Sequence, residues 1–312
     1  MSELFTQTII ISILAATVRI ATPLIFAALG ELITEKAGIL NLGVEGTMLM
    51  AAFASFFATF ASGSLWLGLL VGIVTGGLMA VLMVFMAATL KVEQVVTGLA
   101  LNMFGSGLSI LLYKLYFEGQ SMPTIQIFDN VAVPLLSDIP YLGPIFFQQK
   151  LLTYVAFLMV PVVWFFLYRT KYGLEIRCLG ENPKVIDTRG LNVTLRQYAA
   201  VVIGGMMIGV GGSFVTIAST VRFVPDITAG RGWLALVIVI AGNWRPTGIL
   251  LAALVFAFLD ALQLQIQGVG VALPYQIFLA LPYVAAIVLM IVKRQQSEEP
   301  SRLGIPYFRG ER

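Results

Sequence analysis

The sequence has no histidine, a single cysteine and very little charge. Of 312 residues only 11% are charged, 19 of them basic and 16 acidic, against 59% hydrophobic. A soluble domain carries about 25% charged residues, so no water-soluble fold could cover this much apolar surface. A soluble enzyme, a nucleic-acid binder and a disordered chain are excluded on that ground. Without histidine there is no imidazole base, imidazole metal ligand or imidazole proton relay. Cys178 alone forbids an internal disulfide and leaves no thiolate cluster. The opening MSELFTQT lacks a basic region and a small-residue cleavage site. No cleaved signal is read there, and the first apolar run is expected to stay as an anchor. The formal charge of +3 fits basic loops on the cytoplasmic side of a membrane. Nothing in the composition asks for a cofactor or a metal.

What is present is a series of continuous apolar runs, each about 20 residues long, the span of a membrane helix. A β-barrel would show alternating segments of roughly 10 residues. The expected fold is therefore all-α, a polytopic membrane helical bundle. The runs are 8–29, 44–60, 65–90, 94–117, 151–168, 197–219, 249–264 and 275–292, with a Gly/Pro-broken stretch over 221–244. Two segments hold eleven of the basic residues: the loop 169–196 and the tail 293–312. Both should be cytoplasmic. The loop 118–150, with Glu118, Asp129 and Asp138, should lie outside. Nine spans follow if 31–43 does not cross, and ten if it crosses unwound. The domain reading is a transmembrane unit over 1–292 and a cytoplasmic tail over 293–312, poorly packed unless a partner holds it.

Two stretches are interrupted by glycine, one in each half. The first is Ala37-Gly-Ile-Leu-Asn-Leu-Gly-Val-Glu-Gly46; the second is Thr228-Ala-Gly-Arg-Gly-Trp233 with the run to Asn243. Broken helices in corresponding positions of two halves point to a transport path. Irregular backbone at membrane depth survives only against protein or a water-filled cavity. The polar groups available for such a path are Asn41 and Glu45 on the first break, Gln94, Thr97 and Asn102 on the fourth span, and Asp260 within the apolar run 250–262. Gln94 and Thr97 share a helix face; Asn102 sits off it. Amides and hydroxyls in membrane helices also simply bond to neighbouring helices. Glu45 needs a partner or water, and Lys36 is the nearest basic residue in sequence. Asp260 could line the path, pair with Arg19 or sit near the outer interface. Gly76-Gly77, Gly204-Gly205 and Gly211-Gly212 favour close helix packing. Trp66, Trp233 and Trp244 fall near span ends as interface anchors, and Trp164 falls inside the fifth span.

The loop 169–196 contains its own helix signals. Asn182 is a good N-cap with Pro183 at the first helical position. Gly190 is a good stop, with Arg189 set against the negative end of the dipole. A helix this short does not stand alone in water, so it needs a partner surface, and Val185 and Ile186 offer an apolar patch for one.

The same loop resembles the cytoplasmic coupling segment of the branched-chain amino acid, ribose and nucleoside type of ABC importer permease. The matching residues are Gly180-Glu181-Asn182-Pro183 and Gly190-Leu191-Asn192-Val193. Thr34-Glu-Lys-Ala-Gly-Ile-Leu-Asn-Leu-Gly-Val-Glu-Gly46 is similar to the signature of the nucleoside and simple-sugar branch, as is Glu93-Gln-Val-Val-Thr-Gly-Leu-Ala-Leu-Asn102. The resemblance covers about residues 8–292. It implies an inner-membrane, multi-pass subunit that is not an enzyme. It implies a cytoplasmic ATP-binding-cassette ATPase gripping residues 180–190, a second related permease in a heterodimer, and an extracytoplasmic solute-binding protein. The implied ligand is a nucleoside, with a simple sugar or a branched-chain amino acid as alternatives. The sequence has no Gly-x-x-x-x-Gly-Lys-Ser/Thr loop, so ATP is expected to be hydrolysed elsewhere. The rival reading is an ion-coupled secondary transporter, which would need more intramembrane acids.

Overall fold

The computed structural model describes residues 7–118, 123–134, 136–268 and 298–309, with isolated residues between 284 and 291. Ten α-helices are described: α1 (Gln7–Lys36), α2 (Val44–Ser62), α3 (Leu65–Val84), α4 (Gln94–Phe117), α5 (Leu151–Arg169), α6 (Lys171–Glu181), α7 (Pro183–Thr188), α8 (Val193–Phe214), α9 (Arg231–Ala241) and α10 (Pro246–Gly268). Each of α3 and α8 ends in a π-helical turn, Phe85–Thr89 and Val215–Ser219. Seven of these elements are long and apolar enough to cross a membrane, and α9 is a shorter apolar helix. The polytopic helical bundle expected from the apolar runs is what the chain forms. The last expected span, 275–292, lies almost wholly outside the described residues.

The helices start where polar side chains satisfy their free N–H groups. Ser64 accepts from Leu67 at α3, Glu93 from Val95 and Val96 at α4, Thr170 from Gly173 at α6, and Asn192 from Leu195 at α8. One end of the bundle gathers basic residues: Lys36 contacts Glu298, Lys91 lies over the Phe308 ring, and Arg245 pairs with Glu298. Thr89 and Tyr198 join there too. The opposite end holds a short antiparallel ribbon, β1 (Asn130–Ala132) with β2 (Gln148–Lys150). Above it Ile125 and Phe128 bond the backbone at Val221 and Ile217. At this end Lys150 donates to the Phe128 carbonyl, and its burial lowers the ammonium pKa.

These contacts settle the stretch 31–43. The early part of α1 faces the ribbon end, where Gln149 reaches the Ala15 carbonyl at 3.4 Å and Thr22 meets Thr153 at 3.0 Å. Lys36 is at the basic end. The chain then turns and climbs back as α2, so 31–43 is not a separate crossing. The apolar run read as 8–29 is the lipid-depth part of a 30-residue helix that continues into the basic end.

The centre of the bundle is α1, α2 and α8. Here glycine lets backbones touch. A methyl group on Gly76 would lie 2.3 Å from the Gly205 carbonyl oxygen, and one on Gly212 would lie 2.3 Å from that of Met48. Gly77, one residue on, would meet the flexible Met206 side chain at 3.3 Å and Val202 at an ordinary 3.9 Å. Gly76→Ala is therefore expected to lower the melting temperature of the detergent-solubilised protein. Gly77→Ala should leave it unchanged or raise it, because alanine is the better helix former by about 1 kcal/mol. Equal effects at the two positions would contradict the contact. Towards the ribbon end the core is aromatic, with Phe56, Phe117 and Phe223 packed around one another at centroid distances of 5.8 and 6.1 Å.

Two readings need correcting. Residues 171–181 form α6 rather than loop. Glu175 and Arg177 keep the hydropathy low, but Gly173, Ile176 and Leu179 pack inwards. Trp244 is not an interface anchor but is buried, and its indole N–H donates to the Glu35 carboxylate.

Candidate functional site

The first break begins where α1 stops. Gly38 has φ +83°, its N–H bonds the Glu35 carbonyl, and the Ile39 N–H bonds that of Thr34. This is a Schellman stop, which requires a residue free to enter the left-handed region. From Leu40 to Gly46 the chain is neither helix nor strand up to Gly43, and it lies buried. Its backbone groups are met by side chains, as burial demands. Leu40 N–H donates to Gln94 (2.8 Å), Asn41 N–H to Glu31 (3.1 Å), Gly43 N–H to the Asn41 side chain (2.9 Å) and Gly46 N–H to Asn102 (2.7 Å). The Asn102 amide in turn donates to the Leu42 carbonyl at 2.6 Å. Gln94 and Asn102 thus splint the break from α4. Thr97 is buried and bonds back to Glu93.

The second break runs from Thr220 to Gly230. Asp226, Ala229 and Gly230 have φ of +60°, +47° and +81°. Out of it rises α9, 11 residues long. At 1.5 Å per residue that is about 16 Å, half the hydrocarbon thickness. Its amino end therefore sits at membrane depth, and its carboxyl end reaches Trp244 and Arg245 at the basic end.

Glu45 joins the two breaks. One carboxylate oxygen accepts from the Thr228 hydroxyl (2.5 Å) and the Gly230 N–H (2.9 Å); the other accepts from the Gly232 N–H (2.5 Å). The partner that an acid in an apolar run requires is thus a helix amino end, where the macrodipole favours a negative charge, and not Lys36. Lys36 donates to the Glu298 carbonyl at 3.4 Å.

Beside this clasp is an open cavity of about 480 Å³, lined by Glu45, Leu49, Asn102, Ser106, Asp226 and Trp233 among others. Of the residues expected on a path it brings together Glu45 and Asn102. Asn41, Gln94 and Thr97 stand behind them. Asp260 is half-buried on α10, and the cation acting on it is Arg231. Sequence reasoning missed Glu31, Glu35, Thr228 and Trp244. Glu31 and Glu35 sit one turn apart, with spacing that puts them on one face, and both are fully buried. That spacing was visible; their partners were not.

At the basic end α7 forms as the capping signals require. Asn182 caps it through the Lys184 N–H (3.2 Å), Pro183 is its first residue, Arg189 follows its last and Gly190 has φ +76°. Ile186 is buried against the bundle, so the apolar patch is split: Val185 stays exposed, with Glu181, Asn182 and Arg189. Residues 298–309, expected to be loosely packed, are strapped across this face. Arg302 N–H bonds Gly180, Gly304 N–H bonds Gly38, Ser301 bonds Glu181 at 2.7 Å, and Tyr307 and Arg309 both reach Asp187. Pro300 and Pro306 keep the segment out of helix, which leaves its N–H groups free for these contacts. Its hydrogen bond to Arg245 holds the Glu298 carboxyl below its ordinary pKa; burial and the bond to Asp187 raise that of Tyr307.

Residues 13–292 match the family described as branched-chain amino acid transport system / permease component. The chain is 43% identical to a putative glucose ABC transporter permease protein, TsgC13, of Haloferax volcanii, over 84% of this chain and 79% of that one. It is 33% identical to the guanosine ABC transporter permease protein NupQ of Bacillus subtilis, over 96% and 97%. It is 32% identical to the nucleoside ABC transporter permease protein NupC of Lactococcus lactis, over 93% and 94%. No solved structure matches.

Proposed function

We propose, from the premise that this chain belongs to the branched-chain amino acid transport system permease family, that it moves nucleosides inward by alternating access. It is a multi-pass protein of the cell membrane and an ABC transporter permease. The observation that carries the reading is the meeting of two backbone breaks at Glu45, beside an open cavity at membrane depth whose wall includes Glu45, Asn102, Ser106 and Asp226. Buried polar groups of this kind mark substrate pathways. Asn41 and Gln94 hold the first break in shape, with Thr97 buried behind them; Asn102 both splints the break and, with Glu45, faces the ligand. Asp260, on α10, lies near Arg231 rather than on the wall of this cavity. The ring of Trp233 at the cavity suits the face of a base. The guanosine and nucleoside permeases match over nearly the whole of both chains at 32–33% identity. A simple sugar is the second reading, favoured by the higher identity to TsgC13.

Fuel comes from outside the chain. The exposed residues Glu181, Asn182, Val185 and Arg189, with Gly180, Pro183, Ile186 and Gly190 shaping them, form the surface for a cytoplasmic ATP-binding-cassette ATPase. A second, related permease covers the cavity side, since polar groups exposed at membrane depth need protein or water against them. A solute-binding protein delivers the ligand at the ribbon end. The basic end is cytoplasmic by the positive-inside rule. The test is uptake of labelled guanosine and labelled glucose in cells carrying the complete importer. Guanosine uptake should persist when the proton gradient is collapsed with ATP maintained. Arrest on collapse would favour an ion-coupled transporter, and glucose uptake alone would favour the sugar reading.

A further inference from the structure

We infer that Glu45 sets the charge class of the ligand: by filling the amino end of α9 with the chain's own carboxylate, it makes the cavity accept uncharged, hydroxyl-bearing molecules and reject carboxylates and phosphates. The inference rests on the reading that this cavity lies on the ligand's path.

A half-helix whose amino end opens at membrane depth is the natural receptor for an anionic group. Its first N–H groups lack helical partners, and its dipole is positive there. In this chain that receptor is already taken. Thr228 and Gly230 donate to one oxygen of Glu45 and Gly232 to the other. The Arg231 N–H is spent on the Thr228 carbonyl and the Leu234 N–H on that of Gly230. The approach is also too close to admit a ligand between them: a methyl group on Gly232 would lie 2.5 Å from the backbone of Glu45.

The cation that could replace this receptor faces away. Arg231 gives its guanidinium to the Ile227 and Thr228 carbonyls and lines, with Arg19, a different cavity of about 240 Å³. The wall of the larger cavity instead carries two acids, Glu45 and Asp226, with the amide of Asn102 and the hydroxyl of Ser106. Among the described residues the lining holds no lysine or arginine. An anion entering would meet like charge from both acids, and that repulsion strengthens as the site is closed off from water. A ribose or hexose would instead find carboxylate and hydroxyl acceptors for its O–H groups.

The experiment uses the purified complete transporter in nanodiscs without the binding protein, so that selectivity belongs to the membrane subunits. Binding is compared for guanosine against guanosine 5′-monophosphate, glucose against glucose 6-phosphate, and leucine. The uncharged member of at least one pair should bind, its phosphorylated partner at least ten-fold more weakly, and leucine no better than the phosphates. Glu45→Gln, which frees part of the helix end and removes the charge, should narrow that gap to about three-fold or less. Asp226→Asn, at a left-handed position that asparagine tolerates, should narrow it in part and serves if Glu45→Gln does not accumulate. Equal binding of a charged and an uncharged partner by the wild type overturns the inference. So does a gap unmoved in the variants, or no binding of either uncharged probe. If only the glucose pair binds and shows the gap, the charge rule stands and the nucleoside reading falls.

Discussion

Glu45→Leu should leave little folded protein to extract from the membrane. The substitution removes one carboxylate but strands three donors, the Thr228 hydroxyl and the Gly230 and Gly232 N–H groups. An unsatisfied buried donor costs about 1–3 kcal/mol, so the total is on the order of several kcal/mol, a large part of a typical stability margin. The loss falls on the side chain that joins the two breaks. Thr228→Val is the graded control, because it removes a single donor together with its need for a partner. The measure is the monodisperse fraction after detergent extraction, followed by thermal denaturation. Wild-type yield and melting temperature for Glu45→Leu would mean that the clasp does not hold the fold together.

Removing residues 298–312 should cut ligand-stimulated ATP hydrolysis and uptake at least ten-fold while the complex still assembles. The described part of this segment is the only link, among the described residues, that touches the end of α1, the end of α6, α7 and the turn after α9 together. It bonds Lys36 and Gly38 on the first break, Gly180 and Glu181 before α7, Asp187 within it, and Asn243 and Arg245 after α9. Its single contacts are weak; exposed ion pairs contribute about 0–1 kcal/mol each. Arg309→Ala alone should therefore do little. As a set they tie α7, the surface proposed for the ATPase, to both interrupted elements. Uptake and ATP hydrolysis are measured in the reconstituted complex, with co-purification as the check on assembly. Unchanged coupling after truncation would reduce the strap to a covering.

The membrane-spanning helices were legible because lipid imposes one requirement, about 20 apolar residues, that composition alone reveals. The short helix α7 was legible because capping is local: Asn182, Pro183 and Gly190 act within a few residues of themselves. The two breaks were legible as glycine-rich interruptions. What joins them was not. Glu45 finds its donors more than 180 residues away, and Trp244 finds Glu35 across 209. Sequence proximity pointed instead to Lys36. The amide side chains were read as candidates to hold a ligand. Asn41, Gln94 and Asn102 turn out to bond the backbone of 40–46, a demand that appears only once α1 is seen to stop at Lys36. α6 was hidden for the opposite reason. It lies at the basic end with charged residues on its outer face, and a hydropathy reading cannot tell such a helix from a loop.

The pairing of Glu45 with the start of α9 has an electrical consequence. The positive pole of a helix steadies a carboxylate without cancelling it, because the poles of a dipole sum to zero; a clasp that shifts along the membrane normal therefore takes the full charge of Glu45 with it. Each elementary charge that did cross would exchange about 2.3 kcal/mol per 100 mV with the membrane potential. Any displacement of this pair along the membrane normal is thus open to the membrane potential, in proportion to the share of the field it crosses.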